Sequence, residues 1–353
     1  MNISFTLINW YNSNKRDLPW REETDPYKIW ISEVILHQTR VAQGLDYYYR
    51  FIHNYPTIQS LAEATENDVL NMWKGLGYYS RARNIHKAAQ MIIEQFGGEF
   101  PNTYNDIIKL PGVGPYSAAA IASFAYNHTH AVVDGNVQRV IARLFGVYTL
   151  PDSTTGKKEF QFIADSLIDK QNPAEHNQAI MEFGALLCTP QAPRCIECPF
   201  AEICEAHRTD SISSLPTKKK KKESKLRYFN YLYVEEENNY IYLQKRTAND
   251  IWKNLYELPL IETAAPYSLK ELSESVLFRS LFGDVKIEIT LIADQIKHIL
   301  SHQTIIVSLY KIKIEKIKHT PTHFVRVSKS GIDEYPHSRL ISILLENLTN
   351  YSE

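Results

Sequence analysis

None of the apolar runs in the 353 residues approaches the ~20 that a bilayer-spanning helix needs, which excludes a helical membrane protein. The start, Met1-Asn2-Ile3-Ser4-Phe5, has no basic region, apolar core or cleavage site of a secretory leader, so a cytoplasmic protein is expected. Positive charge is not in excess either. Lys and Arg number 39 against 40 Asp and Glu, a formal net charge of −1. Any grip on a polyanion must therefore come from local basic patches and N–H clusters, not from the whole molecule. No cysteine lies outside residues 188–204, where all four are crowded together. In a reducing compartment that crowding reads as metal ligation, not disulfides. Internal repeats are absent, and the run Lys218 to Lys222 is the one low-complexity segment. Length and ordinary composition leave room for two or three domains with full cores.

What is present is organised around Leu110-Pro111-Gly112-Val113-Gly114-Pro115-Tyr116, followed by an Ala-rich run and Val133-Asp134-Gly135-Asn136. Pro111 and Pro115 bracket a turn in which Gly112 and Gly114 are free to take positive φ. Pro115 suits the first position of a helix. Such a hairpin can hold a phosphate on its N–H groups, and it can equally be a plain interhelical turn. Asp134 is placed to cap a helix over 136–145.

Helical periodicity is read over 3–16, 27–49, 57–63, 66–74, 81–96, 103–109, 115–126, 156–170 and 174–187. Inside the second lies Ser32-Glu33-Val34-Ile35-Leu36-His37-Gln38-Thr39-Arg40. A carboxylate among Trp30, Ile31, Val34 and Ile35 would be desolvated and its pKa raised, poising Glu33 as a general acid. The alternative is a solvated, ion-paired Glu. Gly75-Leu76-Gly77-Tyr78-Tyr79-Ser80-Arg81-Ala82-Arg83 combines a turn, an apolar wedge and an aromatic platform, with Arg81 and Arg83 able to meet phosphates; a packed connecting loop is the competing reading. The spacing Cys188-x6-Cys195-x2-Cys198-x5-Cys204 has one short knuckle and no His at a ligand position. It favours an iron–sulfur cluster over zinc but leaves the metal open.

Beyond a basic linker over 210–227, a second architecture begins. Strands are expected at 228–234 and 240–245, paired across 235–239, then at 286–293, 305–313 and 323–327. Helices are expected over 268–281, opened by a Ser268/Glu271 capping box, and over 340–348. A polar loop, His298-Ile299-Leu300-Ser301-His302-Gln303, lies between two of the strands.

Taken together, Ser32 to Thr39, Gly75 to Asn84, Leu110 to Tyr116, Val133 to Val140 and the cysteine spacing resemble the MutY-type adenine DNA glycosylases. That family lies within the helix-hairpin-helix superfamily that includes endonuclease III. The resemblance implies a mostly α N-terminal core, a six-helix barrel plus an iron–sulfur cluster domain, and a C-terminal α+β Nudix-like domain. The implied divisions are an N-terminal helix (1–22) belonging to the cluster domain, the barrel with the hairpin (23–133), the cluster domain (134–209), the linker (210–227) and a Nudix-like 8-oxoguanine recognition domain (228–353). It implies a monofunctional DNA N-glycosylase of base excision repair, hydrolysing adenine opposite 8-oxoguanine or guanine in double-stranded DNA. The protein would be a monomer, off the membrane, and nucleoid-associated if bacterial. Carried over residue by residue, Glu33 protonates the base and Asp134, kept ionised by its helix cap, stabilises the sugar cation. Tyr116 and Asn136 support them, and Glu182, Arg21 and Gln178 hold the adenine. Gln38, Thr39, Leu76, Tyr78, Ser301 and His302 meet the lesion or its strand, and Gly112 and Gly114 hold the backbone. Cys188, Cys195, Cys198 and Cys204 ligate a [4Fe–4S] cluster. Tyr116 stands where endonuclease III relatives carry a Schiff-base lysine. Leu300 replaces the family's Phe and His37 its Gln, and the carboxylate helix of Nudix hydrolases is missing. Two rivals remain: an endonuclease III-like pyrimidine glycosylase/lyase, and a non-catalytic iron–sulfur protein that only binds mismatches. Borohydride trapping tests the first, and co-location of Glu33 and Asp134 in one cleft tests the second.

Overall fold

The computed structural model describes residues 2–219, 224–236, 239–283, 287–314 and 323–351. Lys220 to Lys222 of the lysine run, Glu237 and Asn238 of the expected turn, and Lys286 lie outside the described residues. The chain divides into two compact units, Met1–Glu63 with Asn84–Lys220, and Ala64–Arg83 with Lys221–Glu353. Residues 64–83, inside the stretch assigned to the barrel, thus group with the C-terminal unit.

Among the described residues up to 208, twelve α-helices run in order: α1 (Ile3–Asn14), α2 (Pro26–Leu36), α3 (Val41–Asn54), α4 (Ile58–Glu63), α5 (Glu66–Met72), α6 (Ser80–Phe96), α7 (Tyr104–Ile107), α8 (Pro115–Tyr126), α9 (Gly135–Phe145), α10 (Thr154–Leu167), α11 (Pro173–Leu186) and α12 (Glu205–Arg208). The single helix expected over 27–49 is two, α2 and α3. Gln38 takes φ +63° at the break, and the Thr39 N–H turns back to the Leu36 carbonyl at 3.1 Å. The apolar period runs across the break, and no Pro or Gly marks it. α8 is buried on all sides from Ser117 to Ser123. Its alanines let it pack against both α2 and α11. α1 returns to α11, where Ser4 Oγ lies 2.6 Å from His176 Nδ1. Leu7, Tyr11, Val137, Ile141, Phe160 and Phe183 share one core there.

In the second unit, β1 (Lys225–Glu236), β2 (Tyr240–Lys245), β3 (Tyr256–Glu257), β4 (Leu260–Thr263), β5 (Glu288–Ile299), β6 (Gln303–Ile314) and β7 (Phe324–Ser328) form one sheet of order β3-β2-β1-β6-β5, with β4 on β1 and β7 on β2. Among the described residues, the expected β1–β2 hairpin pairs at Glu235↔Ile241 and Glu236↔Tyr240. The long partner of β1 is β6, parallel from Lys225↔Gln303 to Glu236↔Ile314. The helix expected over 268–281 is broken into α13 (Leu269–Glu274) and α14 (Val276–Phe282), because Ser275 caps a new start, while the Ser268/Glu271 capping box is present. The expected 298–303 loop is shorter: His298 and Ile299 belong to β5 and Gln303 to β6. α15 (Arg339–Tyr351) closes the chain and packs on the sheet.

Candidate active site

A cleft of about 920 Å³ opens in the first unit, within the range typical of ligand sites. Residues from α2, α8, α9, α11 and the α2–α3 break line it. Glu33 enters from α2, and Asp134 from the N-cap of α9. Asp25 and Pro26 start α2, and the apolar face around Glu33 buries that helix, leaving the Glu33 residue 7% exposed. The Tyr116 hydroxyl, from the first turn of α8, donates to Glu33 Oε2 at 2.7 Å. Burial, with the charge of Asp134 added, pushes the Glu33 carboxyl up to about 7 against that bond. Burial first, then the charge of Glu33, also raises the Tyr116 phenol, so it stays a donor. The His37 ring stacks on Tyr116 at 5.9 Å, which is what His at that position does.

Asp134 is differently held. Its Oδ1 accepts the Val137 N–H at 2.7 Å and its Oδ2 the Asn136 side-chain amide at 2.7 Å. Burial pushes this carboxyl up as well, while the Val137 and Asn136 donors and the charge of Arg139 pull it down. The cap alone therefore does not set its ionisation, as sequence had implied; the donors have a desolvation cost to offset. Asn136 is oriented in turn, because Arg139 Nη2 donates to its Oδ1 at 2.8 Å. Arg139 also donates to the carbonyls of Gly184 and Cys188, both at 2.7 Å. Sequence reasoning missed Arg139: it lies opposite the apolar face of α9 and reads as solvated, yet residues 184–190 cover it and leave it 8% exposed.

Glu182, buried on α11, is a salt-bridged anchor. Arg16 donates to it from its backbone at 3.0 Å and from Nε at 2.9 Å and Nη2 at 2.6 Å, and Arg21 Nη2 lies 2.5 Å away. Burial would raise its carboxyl, but the Arg16 bonds and the Arg21 charge hold it below the usual carboxylate range. Arg16 was also missed. The other guanidinium nitrogen of Arg21, Nη1, is buried without a hydrogen-bond partner. Gln178 accepts from Tyr11 at 2.7 Å. Gln38 and Thr39, displayed by the α2–α3 break, line the same cleft.

In the hairpin only Gly112 uses the left-handed region, at φ +80°, and a Cβ there would meet Asn84 at 2.6 Å. Gly114 caps α8 at φ −98°, contrary to expectation, and a Cβ on it would meet nothing within 4 Å. Its backbone is therefore open to close approach from outside. Arg81 does not reach out. It lies over the Trp73 and Tyr78 rings at 5.2 and 5.6 Å, and Arg83 donates to the Lys253 carbonyl at 2.8 Å. In the second unit Leu76 is buried and Tyr78 half exposed. The Tyr78 hydroxyl lies 2.9 Å from Ser301 Oγ, His302 is exposed beside it, and Leu300 packs into the core of the sheet.

The four cysteines surround one small apolar cavity of about 30 Å³ with Arg143 and Leu187. Arg143 Nη1 lies 3.5 Å from Cys188 Sγ. Burial, then the neighbouring sulfurs, raises Cys195, Cys198 and Cys204, Cys198 to about 11. Among the described residues no three Cys, His, Asp or Glu side chains are grouped to hold a single metal ion.

The chain matches the HhH-GPD superfamily base excision DNA repair protein over residues 31–164 and the NUDIX domain over 230–347. It is 35% identical over 319 residues to the adenine DNA glycosylase of Buchnera aphidicola subsp. Baizongia pistaciae, covering 88% of this chain and 86% of that protein. To the adenine DNA glycosylase of Rattus norvegicus it is 44% identical over 222 residues, 60% of this chain and 43% of that one. A solved thermostable thymine-DNA glycosylase is similar at 29% identity and a TM-score of 0.55, over 59% of this chain and 95% of that one. None of the described helices is long and apolar enough to cross a membrane.

Proposed function

The chain belongs to the adenine DNA glycosylases, and we propose that Glu33 and Asp134 are its working pair, acting on adenine opposite 8-oxoguanine or guanine in duplex DNA. The observation that carries this is that two carboxyls of unlike surroundings line one cleft. One has a single phenolic donor and a pKa near 7; the other is held by N–H donors and a neighbouring guanidinium. Burial raises both carboxyls, Glu33 to about 7, but Asp134 alone has N–H donors and a guanidinium favouring its anion, and carboxyls in unlike surroundings can divide acid and anion roles.

An adenine turned out of the stack would enter the cleft. Glu33 gives its proton to N7, and the electron pair of the C1′–N9 bond leaves with the base. The Asp134 carboxylate stabilises the cation left on the sugar, as the second carboxylate does in glycosidases. Water adds to C1′ and returns a proton to Glu33. Tyr116 and Asn136 orient the two carboxyls. Arg21 Nη1, the buried donor without a partner, suits an acceptor nitrogen on the base, and a buried donor left unsatisfied is costly. Glu182 then serves the adenine by fixing Arg21 as well as by its own contact, with Gln178 beside it. No amine stands at Tyr116, so strand cleavage through a Schiff base is not expected.

Gly112 and Gly114 would hold a phosphate of the strand carrying the adenine. Gln38 and Thr39, and separately Leu76, Tyr78, Ser301 and His302, would contact the strand carrying 8-oxoguanine. Cys188, Cys195, Cys198 and Cys204 would hold a [4Fe–4S] cluster, whose iron–thiolate bonds would tie the 195–204 turns to the end of α11.

Single-turnover excision on duplexes carrying A:8-oxoG, A:G or thymine glycol tests the reading. Adenine release from the first two and none from the third is expected. Glu33→Gln should slow that release by roughly 10²–10⁴-fold, the usual worth of a general acid, while duplex binding persists. Full activity in this variant, or strand cleavage trapped by borohydride, would refute it.

A further inference from the structure

The loop that carries Tyr78 takes its shape from the C-terminal unit. Gly75, Gly77 and Tyr78 all have positive φ, at +92°, +78° and +48°, a region that tyrosine adopts only under constraint. Side chains supply the constraint: Trp73 Nε1 and Arg81 Nη2 donate to the Gly77 carbonyl at 3.0 and 3.2 Å, and a buried tyrosine holds the start of the loop. Tyr79, 5% exposed, accepts the Gly75 N–H on its hydroxyl at 3.2 Å and donates that hydroxyl to the His337 carbonyl at 3.0 Å. His337 is itself fixed in the sheet. It bridges to Tyr256 of β3, and the Tyr256 N–H donates to the Pro336 carbonyl at 2.7 Å. Around this relay, Asn71 donates to the Glu334 carbonyl at 2.7 Å, and Lys74 pairs with Asp333 at 2.7 Å.

We propose that Tyr79 is a positioning residue. Its hydroxyl locks the Gly75–Tyr78 loop to the Pro336–His337 segment, so that the C-terminal unit sets how the loop meets the strand opposite the adenine. Discrimination between 8-oxoguanine and guanine then depends on a buried hydroxyl that touches neither base. This rests on the substrate reading above. The locking itself does not: it is visible without DNA.

The full-length Tyr79→Phe variant keeps the ring and loses the relay. Its Gly75 amide should exchange with solvent several-fold faster than in the parent, with melting temperature little changed. Its preference for binding A:8-oxoG over A:G should fall about fivefold, the worth of one hydrogen bond. Its excision rate constant at saturating protein should stay within about twofold. A second clamp gives an independent test. Lys74→Asp alone should lower the same preference, and Lys74→Asp with Asp333→Lys should restore it. Unchanged exchange at Gly75 overturns the proposal, as does an equal loss on both mispairs or a double reversal that fails to rescue. A parent with no preference between the mispairs would sink the substrate reading instead, and the exchange result would then decide the locking alone.

Discussion

Glu33 and Asp134 carry the same functional group and differ in what surrounds it. Glu33 was suspicious in the sequence because Trp30, Ile31, Val34 and Ile35 flank it, but its solvation was undecided there. The fold decides it by closing α8 over the helix and bringing Tyr116 to within 2.7 Å. A carboxyl raised to about 7 when folded, against about 4.3 unfolded, contributes fully below pH 4. That contribution is lost as pH rises through 7, roughly 4 kcal/mol in all. Glu33→Gln, neutral at every pH, should therefore be more stable than the parent at pH 8 by up to that amount and equal to it near pH 4. Paired denaturant titrations at the two pH values check this, and a constant offset would contradict the raised pKa. For the same reason the parent's single-turnover rate should fall about tenfold per pH unit above 7, as the acid loses its proton.

At the scale of elements, α11 passes close over the start of α9. A Cβ on Gly184 would lie 2.7 Å from Asn136 Cβ and 2.9 Å from its carbonyl oxygen. That oxygen belongs to the backbone and cannot swing aside. Gly184→Ala should therefore push α11 off the start of α9, cost about 1–3 kcal/mol and disturb both Asn136 and the Arg139 bond to the Gly184 carbonyl. A melting curve together with a single-turnover assay measures both effects; an unperturbed variant would mean the helices give way easily. Periodicity located nearly every helix, yet it joined α2 to α3. The break is made by Gln38 in a left-handed conformation, and nothing local announces that glutamine will adopt it. Likewise the parallel partnership of β1 with β6 joins residues some eighty apart, and no alternation pattern names a distant partner.

At the scale of the whole molecule, near-neutral charge and two compact units mean that binding to DNA must be built from particular places. Gly114, with open space where a side chain would be, is one such place. The four thiols are the other global feature. Phe200 and Leu215, near them in the chain, belong to the same core as α1, α9 and α11. Loss of the proposed cluster should thus be felt across the first unit, since binding energy at such a centre is folding energy. Cys198→Ser should abolish the visible absorbance of the purified protein and lower the melting temperature. A colourless parent, or a variant that melts unchanged, would count against a resident cluster.

The sequence alone determined which residue types were available and in what local order: the paired carboxyls, the tyrosine in place of an amine, the cysteine spacing, the turn-forming glycines and the helix caps. Those are properties of neighbours along the chain, fixed by steric preference and short-range hydrogen bonding. Only the tertiary structure decided that Glu33 loses its water, that Asp134 must offset a burial cost of its own, that Arg139 is interior and Arg16 is tied to the buried Glu182, and that residues 64–83 group with a sheet built from the far end of the chain. Each of these depends on which distant surface covers a group. Desolvation and long-range hydrogen bonds arise from that covering, and no window of sequence contains it.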